Sequence, residues 1–342
     1  MQRFVVVGLD HRHVYDLTRG LLDAGVGCAG YWTGTSDPRV LQGFRERFPG
    51  LHAVEDREAL LADASAGIVV CAAIPRDRAG IAIAAMRHGK DVLMDKPGVT
   101  TEADLAALEK TVVETGRIFS ICFSERFLVP ATTVALRMIR DGEIGRVVHT
   151  AGFGPHRLNR AIRPAWFFDR AAYGGILCDI ASHQIDQFLT FTGSDDARIV
   201  TSMVGTFDDR RQPDFENFGE VVLRSATASG YCRVDWFTPD GLPTWGDGRL
   251  TVVGTAGTIE LRKYLDIEGR PGTDHLFLSN HSGTRYVDCS AEPWRYFAAF
   301  ASDCIDRTET AMTQRHVFTV CRLALAAQAG AERVALPGGM PH

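Results

Sequence analysis

Through the first 123 residues, short apolar runs alternate with stretches whose apolar positions recur at helical spacing. The runs predict strands, which lie at Phe4–Val7, Cys28–Trp32, Ile68–Ala73, Val92–Met94 and Ile118–Phe123. The stripes between them predict helices, which include Val14–Leu22, Val40–Phe48, Arg78–His88 and Leu105–Val113. Thr101 and Asp104 form a capping box before the last of these helices. Such alternation is typical of a parallel sheet with helices on both faces.

After about residue 124 the pattern changes. Two helices, Val129–Arg140 and Ile176–Phe191, are followed by strand-like runs with turn signals at Ile199–Phe207, Gly219–Arg224, Tyr231–Phe237, Leu250–Val253, Thr258–Leu261 and His275–Leu278. Helices at Trp294–Asp306 and Gln314–Ala329 end the chain. We expect an α+β domain with a mostly antiparallel open sheet at residues 124–342, after an α/β domain at residues 1–123.

The composition limits the class of partner. The chain has 342 residues, 45% hydrophobic and 23% charged, with a net charge of −5 and no basic run, which argues against nucleic acid and acidic membranes. The eight cysteines form no Cys-x-x-Cys pair and predict free, buried thiols in a reducing compartment. The N-terminal apolar stretch is too short for a signal peptide, and no segment reaches the ~18 apolar residues of a membrane span. We expect a soluble cytoplasmic protein.

Lys96 is the first candidate for chemistry. Only four of the 37 basic residues are lysines, so arginine is the default cation of this chain. Lys96 follows a predicted buried strand, and the carboxyl ends of such strands are where ligands bind in open α/β sheets. A half-buried lysine can lose its proton, whereas arginine stays charged. A surface lysine before a strand-ending proline remains the alternative.

The first strand ends at Gly8, where a dinucleotide-binding fold places the turn Gly-x-Gly-x-x-Gly. Here the turn reads Gly8-Leu9-Asp10-His11-Arg12-His13, with only the first glycine. Asp10 repels phosphate unless it turns away, an effect that His11, Arg12 and the helix N-terminus could offset. A loop that binds nothing is the alternative. The two histidines could also hold a metal, but without a nearby carboxylate or thiol partner we predict none.

The second strand normally ends in an acid that holds the adenosine ribose. Here Thr33, Thr35 and Ser36 follow it, and no acid occurs before Asp37. Hydroxyls with Arg39 nearby suit a 2′-phosphate better than a bare ribose, which gives a weak preference for NADP over NAD. Alternatively, these hydroxyls only cap the next helix.

A second constellation lies at residues 173–186. Asp179, His183 and Asp186 fall on one helical face at spacings of four and three. An aspartate one turn from a histidine can orient the ring and raise its basicity. A solvated helix face is the more common meaning of such a stripe, and a metal site would lack a second nitrogen or thiol ligand.

These motifs together resemble the glucose–fructose oxidoreductase/inositol dehydrogenase/rhizopine-catabolism (Gfo/Idh/MocA) family. Asp95-Lys96-Pro97 resembles its Glu-Lys-Pro motif, and Gly174-Gly175-Ile176-Leu177-x-Asp179-x-x-x-His183-x-x-Asp186 resembles its second motif. Arg163-Pro164-Ala165-Trp166-Phe167 and Gly254-Thr255-x-Gly257-Thr258 match two further family segments. Three departures stand out: the degraded glycine turn, Asp95 for glutamate, and Arg78 where members often have histidine.

The resemblance implies an N-terminal Rossmann domain, a C-terminal substrate-binding and oligomerisation domain, and NAD(P)-linked oxidation or reduction of a sugar, cyclitol or related polyol. It places Lys96, Asp179 and His183 at the catalytic positions. The expected cofactor-binding residues are Gly8, Asp10, His11, Arg12, His13, Thr33, Thr35, Ser36, Arg39, Ala73, Pro75, Asp95 and Pro97. The expected substrate residues are Arg126, His156, Arg157, Arg163, Trp166 and Asp186, with Trp245 and Asp247 as further candidates. A homodimer or homotetramer is expected.

Two other functions remain open on this scaffold. One is a glycoside hydrolase that uses tightly bound NAD to oxidise a sugar transiently. The other is a non-catalytic dinucleotide or sugar sensor, against which the joint presence of Lys96, Asp179 and His183 argues.

Overall fold

The computed structural model describes residues 2–35, 37–207, 212 and 214–335, which form two compact units. The first unit contains the described residues of Met1–Cys122, Ala171–Gly174 and Arg295–Cys321. The second contains those of Phe123–Arg170, Gly175–Trp294 and Arg322–His342. A single domain boundary after residue 123 stays a prediction, since the first unit also takes in two later segments.

The first unit is built on a six-stranded sheet. Its strands are β1 (Arg3–Leu9), β2 (Gly27–Trp32), β3 (Ala53–Val54), β4 (Ile68–Ala72), β5 (Asp91–Asp95) and β6 (Phe119–Cys122). Its first helices are α1 (Val14–Asp23), α2 (Pro38–Arg47), α3 (Arg57–Ala62), α4 (Pro75–Arg87) and α5 (Glu102–Thr115). The strand order is β3-β2-β1-β4-β5-β6 and every pairing is parallel, which confirms the predicted α/β sheet.

Local sequence sets the helix ends of this unit. The Thr101 hydroxyl accepts a hydrogen bond from the main-chain N–H of Asp104 at 3.1 Å, as the capping box predicts. Gly116, in the left-handed conformation with φ 63°, ends helix α5. Strands β4 and β5 are buried along their whole length, so their carboxyl ends are held rigidly.

The second unit is built on a nine-stranded sheet. Its strands are β7 (Val147–Pro155), β8 (Arg198–Thr206), β9 (Phe218–Arg224), β10 (Ser229–Asp235), β11 (Arg249–Gly254), β12 (Gly257–Arg262), β13 (His275–Asn280), β14 (Gly283–Asp288) and β15 (Glu332–Ala335). The order is β14-β13-β12-β11-β7-β10-β9-β8-β15. Only the β7–β10 and β8–β15 pairings are parallel among the described residues, which confirms the mostly antiparallel sheet.

The remaining helices are α6 (Ser124–Phe127), α7 (Pro130–Arg140), α8 (Arg170–Tyr173), α9 (Ser182–Thr192), α10 (Tyr296–Asp306) and α11 (Gln314–Ala329). A π-helical segment, Leu177–Ala181, leads directly into α9. Short 3₁₀ turns lie at Arg160–Ile162 and Ala165–Phe168.

Strand β7 lies in the middle of the second sheet, although its apolar pattern predicts no strand. Glycines interrupt the pattern because helix α9 packs closely on this strand. A Cβ atom at Gly152 would lie 2.2 Å from the side-chain oxygen of Gln184, and one at Gly154 would lie 3.2 Å from Ile180. The glycines therefore let the helix that carries His183 approach the sheet.

All eight cysteines are free thiols and seven are buried, as predicted. Among the residues that the structure describes, none of the helices combines the length and apolar character of a membrane span.

Candidate functional site

Lys96 directly follows strand β5 of the first unit, and only 6% of it is exposed. The surface-lysine alternative is therefore wrong. The Lys96–Pro97 peptide bond is cis. The segment after β5 is thus a buried turn that carries the lysine at the carboxyl edge of the sheet.

Arg78, one of the departures from the family pattern, holds this turn. Its side chain is buried and donates hydrogen bonds to the main-chain oxygens of Ala73 at 2.7 Å, Asp95 at 2.9 Å, Pro97 at 2.9 Å and Lys96. It also donates to Oδ2 of Asp95 at 2.9 Å. One guanidinium therefore fixes both ends of the turn, a role for which the sequence gives no signal beyond the substitution itself.

Gly8 lies at the strand-to-helix turn with φ 102°, a conformation that favours glycine. A Cβ atom there would lie 2.7 Å from Cβ of Ala73, just before α4, which begins at Pro75. The main-chain N–H groups of Asp10 and His11 both donate to the Ala72 oxygen, at 3.2 and 2.9 Å. These amides pair within the sheet edge, so they are not positioned as a main-chain cradle for phosphate.

The carboxylate of Asp10 is turned toward the end of β2. It accepts a hydrogen bond from the Thr35 hydroxyl at 3.0 Å, and the same hydroxyl lies 2.7 Å from the Leu9 main-chain oxygen. Thr33 contacts the Val54 oxygen at 3.4 Å. The Asp10 carboxylate is therefore turned away, as it must be if a phosphate is to bind at this turn without repulsion.

After strand β2, where the adenosine ribose of a dinucleotide is expected to bind, Asp37 and Arg39 contact each other. Asp37 caps helix α2 by accepting from the main-chain N–H of Arg39 at 3.1 Å. The same carboxylate pairs with the half-exposed Arg39 guanidinium, also at 3.1 Å. Helix capping in this segment is thus performed by Asp37, and the predicted Ser36 lies outside the described residues.

His11 and His13 converge on Asp95. Nδ1 of His13 lies 2.8 Å from Oδ1 of Asp95, and Nδ1 of His11 lies 3.3 Å from Oδ2. The expectation that these histidines have no carboxylate nearby is wrong, because the turn after β1 and the end of β5 meet at one sheet edge. Arg12, between the two histidines, is exposed.

The charge states in this group follow from burial and neighbours. Burial and the adjacent His13 lower the pKa of His11 to about 3, so its imidazole is neutral at neutral pH. Burial alone would raise the pKa of Asp95, but His13, Arg78 and hydrogen bonds from both histidines hold that pKa well below its ordinary range. Asp95 is therefore a permanent anion.

In the second unit, the π-helical segment begins at an anchored N-terminus. The main-chain N–H of Ile176 donates to Oε2 of buried Glu216 at 2.9 Å, and that of Leu177 donates to Oε1 of Gln328 at 3.0 Å. Gln328 in turn donates to Glu216 at 3.0 Å. Asp179 lies on this segment, so its position relative to α9 is fixed at the helix start.

Asp179, His183 and Asp186 are 9%, 1% and 0% exposed, so the solvated-face alternative is wrong. Asp186 forms a two-pronged ion pair with Arg126, with N–O distances of 2.8 and 2.7 Å. Two residues predicted to bind substrate thus bind each other. Asp179 and His183 remain the candidates for proton transfer in this unit.

A buried charged network surrounds His183. Lys263 Nζ donates to Oε2 of Glu125 at 2.7 Å and to Oε1 of Gln187 at 2.8 Å, and Gln187 donates to the His183 main-chain oxygen at 2.9 Å. Gln184 also donates to Oε2 of Glu125, at 2.8 Å. Lysine scarcity is the sequence signal for this network, since Lys263 is among the four lysines and is fully buried.

Four of the substrate candidates form an aromatic and cationic cluster. The His156 ring lies 4.5 Å from the Trp245 ring and 5.3 Å from the Trp236 ring. The Arg163 guanidinium lies 5.2 Å from the Trp236 ring, and Arg157 donates to the main-chain oxygen of Pro239 at 2.9 Å.

The two remaining candidates lie nearby or are otherwise engaged. Trp166 is half-buried, with its ring 5.9 Å from that of Phe167, which contacts Trp236. Asp247 pairs with Arg249 and Arg262. Trp236 is a member of this cluster that the sequence does not single out.

Comparison with protein families gives two matches. The model described as an oxidoreductase family with an NAD-binding Rossmann fold matches residues 34–123. The model of the Gfo/Idh/MocA C-terminal domain matches residues 133–260.

Relatives with assigned names include the scyllo-inositol 2-dehydrogenase (NAD(+)) of Bacillus subtilis (strain 168), 28% identical over 211 residues, or 60% of this chain and 58% of that protein. The levoglucosan dehydrogenase of Pseudarthrobacter phenanthrenivorans is 28% identical over 156 residues, or 44% of this chain and 39% of that protein. The chain thus matches less than two thirds of the length of these curated relatives.

A crystal structure of a candidate oxidoreductase from Erwinia carotovora atroseptica SCRI1043 is 43% identical, with a TM-score of 0.94 over 98% of this chain and 100% of that chain. Levoglucosan dehydrogenase in complex with NADH and levoglucosan has a TM-score of 0.76 at 19% identity, covering 96% of each chain. A 3-ketoreductase from Actinomadura kijaniata in complex with NADP has a TM-score of 0.74 at 19% identity, covering 98% of this chain and 99% of that chain. The last two likenesses show the fold.

Proposed function

Because this chain belongs to the Gfo/Idh/MocA oxidoreductase family, we propose that it is an NAD(P)-dependent dehydrogenase or reductase. Its substrate is a small polyhydroxylated molecule, a sugar, cyclitol or related polyol, oxidised at a carbinol or reduced at a carbonyl. The observation that carries the proposal is that Asp179, on the π-helical segment, and His183, on the helix α9 that continues it, are both buried. Burying an aspartate and a histidine costs solvation, and a role in proton transfer explains why both are kept in the interior.

The proposed roles follow from the chemistry of each side chain. His183 accepts the proton of the substrate hydroxyl as general base, and Asp179 orients the imidazole and stabilises its charged form. Lys96 hydrogen-bonds the same oxygen and, in the reverse direction, donates to the carbonyl. The nicotinamide, when bound, supplies the hydride acceptor or donor.

The first unit supports the fit of a dinucleotide in three ways. Gly8 keeps the close approach of the first turn, and Asp10 turns its carboxylate toward Thr35. The N-terminus of α1 lies next to this turn and favours an anion such as pyrophosphate. Ala73, Pro75 and Pro97 belong to the same sheet edge.

A weak preference for NADP rests on Thr33, Thr35 and the half-exposed Arg39. The preference stays weak because Thr35 and Arg39 are both already hydrogen-bonded to aspartates.

For the substrate, the cluster of His156, Arg163, Trp236 and Trp245 offers polar groups beside aromatic faces, a combination that suits a hydroxylated ring. The dehydrogenase names of the relatives above point the same way. A cytoplasmic location and a homodimer or homotetramer remain predictions.

The test is an incubation of the pure protein with NAD⁺ or NADP⁺ and a panel of cyclitols, sugars and sugar acids, followed by absorbance of the reduced cofactor. The proposal expects cofactor reduction with at least one polyol and saturable binding of at least one dinucleotide. Absence of dinucleotide binding in a fluorescence titration would overturn it.

The same experiment separates the other two functions. A glycoside hydrolase would release sugar without net consumption of dinucleotide, and a sensor would bind dinucleotide without turnover. The relatives reported above carry dehydrogenase, reductase or oxidoreductase names, so no finding favours either.

A further inference from the structure

The departures of this chain from the family pattern lie together in space. Asp10 and His13 stand at the second and third glycine positions of the turn after β1, with His11 between them, and Asp95 replaces the glutamate at the end of β5. Arg78, the third departure, contacts Asp95. Substitutions that are distant in sequence but meet at one sheet edge indicate that they serve one chemistry.

The geometry of this group matches the ligand set of a metal ion. One ligand atom from each of His11, His13 and Asp95 can be chosen so that all lie within 4.8 Å of one another. Two ligands held tetrahedrally at about 2.0–2.1 Å from a zinc ion are about 3.3–3.4 Å apart. Nδ1 of His11 lies at this distance, 3.3 Å, from Oδ2 of Asp95, whereas Nδ1 of His13 lies 2.8 Å from the other oxygen, Oδ1. The two histidines thus face different oxygens of one carboxylate, and the His13–Oδ1 separation needs to widen by about 0.5 Å for both atoms to bind one ion.

Nδ1 of His11 faces two other members of this group. It lies 3.3 Å from Oδ2 of Asp95 and 3.4 Å from the main-chain nitrogen of His13. Without a metal ion, a proton on this nitrogen forms the hydrogen bond to Asp95, and a metal ion bound between the histidines and the carboxylate would take the place of that proton.

The support behind the carboxylate is that of a metal site. Arg78 donates to Oδ2 of Asp95 from the buried side and ties the main chain of residues 95–97. Metal-binding carboxylates are commonly hydrogen-bonded in this way, which fixes their orientation. Two imidazole nitrogens and one carboxylate oxygen favour a transition-metal ion over a calcium or magnesium ion, which prefers oxygen ligands. The positive charges of Arg78 and Lys96 oppose any cation here, so the anionic Asp95 and the nitrogen ligands must outweigh them.

We propose that His11, His13 and Asp95 form a binding site for one divalent transition-metal ion of the zinc class. The histidine side chains are 21% and 34% exposed, whereas Asp95 is buried, so the ion would have three protein ligands and one open position on the solvent side. Three protein ligands with an open position is the arrangement of zinc sites that bind a further oxygen ligand. The site goes beyond the proposed oxidoreductase function.

The test uses the untagged full-length protein, stripped with a chelator and dialysed. Titration with Zn²⁺ by calorimetry should give one ion per chain, and Co²⁺ should develop the visible absorption bands of a four-coordinate ion. His11→Ala and His13→Ala should each weaken Zn²⁺ binding by more than about tenfold, the low end of the effect of losing groups that only support a ligand. Circular dichroism and thermal unfolding verify that both variants are folded.

The matched control is His88→Ala, which removes an exposed histidine 3.9 Å from Glu58 in the same unit. This variant should bind Zn²⁺ like the wild type. Binding well below one equivalent, or equal losses in His88→Ala and His13→Ala, would overturn the site and leave His11, His13 and Asp95 as a hydrogen-bonded group only. Because no dinucleotide is present, either result is independent of the dehydrogenase proposal.

Discussion

The turn after β1 in the first unit and the helix around His183 in the second bury polar groups in different ways. In the turn, side chains replace the expected glycines: Asp10 bonds Thr35, and both histidines converge on Asp95. In the helix, the family motif is complete, and glycines in β7 let it pack closely on the sheet. The comparison teaches that the second unit keeps the residues of its family motif, whereas the turn of the first unit is held by side chains that the family pattern does not specify.

The largest expected effect separates turnover from binding. His183→Ala should lower kcat by about 10²–10⁴-fold, because a positioned general base contributes this much. Dinucleotide affinity should stay near that of the wild type, since the proposed cofactor residues belong to the first unit. Steady-state kinetics and a fluorescence titration measure the two quantities, with His149→Ala, a half-buried histidine that contacts Ser229 at 2.9 Å, as the control.

The buried network of the second unit predicts a large loss of stability. Lys263→Met leaves Glu125 as an uncompensated buried charge, which should lower the free energy of unfolding by about 3–5 kcal/mol. Denaturant unfolding followed by circular dichroism measures it. Lys110→Met, which removes an exposed partner 3.6 Å from Glu114, should cost at most about 1 kcal/mol. Equal costs for the two variants would contradict the buried-pair interpretation.

The same network predicts an acid-dependent stability. Burial would raise the pKa of Glu125, but Lys263, His183 and His156 lower it from 4.5 to about 2. A lowered folded-state pKa adds stability that is present above about pH 4.5 and is lost as the pH falls toward 2. The contribution is at most about 3 kcal/mol. Between pH 4.5 and 2, the free energy of unfolding of Glu125→Gln should depend less on pH than that of the wild type. The same pH dependence in both proteins would show that Glu125 is not the group responsible.

The smallest effect concerns the first unit. Gly8→Ala places a Cβ atom 2.7 Å from that of Ala73 at a positive φ, which should cost about 1–3 kcal/mol and weaken dinucleotide binding. Gly80→Ala is the matched control, because Gly80 lies in helix α4 with nothing within 4 Å of an added Cβ. It should stabilise the protein by about 0.5–1 kcal/mol. A loss of binding in the control alone would run against this account.

The sequence predicted both sheets because periodicity and turn signals are local. Helix α11 was predicted with its observed ends, and the capping box of Thr101 and Asp104 begins helix α5 as expected. Strand β7 was not predicted, because Gly152 and Gly154 serve packing by a helix that follows later in the chain. The apolar pattern of the nine residues of β7 alone carries no information about that helix contact.

The candidate site was predicted in part. Motif spacing gave Asp179 and His183, and lysine scarcity gave Lys96 a special position, which its burial supports. The same scarcity applied to Lys263, whose partner Glu125 is distant in sequence and was not predicted. The pairing of Arg126 with Asp186 and the meeting of His13 with Asp95 also depend on the fold, so sequence spacing alone could not reveal them.

The central claim of the proposed function is that Lys96 and His183 act on the same substrate oxygen. A double-mutant cycle in kcat/KM with Lys96→Ala, His183→Ala and the double variant tests it most directly, because residues that act as a unit are strongly non-additive. The account predicts that the double variant is about as slow as the slower single variant. Losses that multiply, or a near-wild-type rate in either single variant, would contradict it.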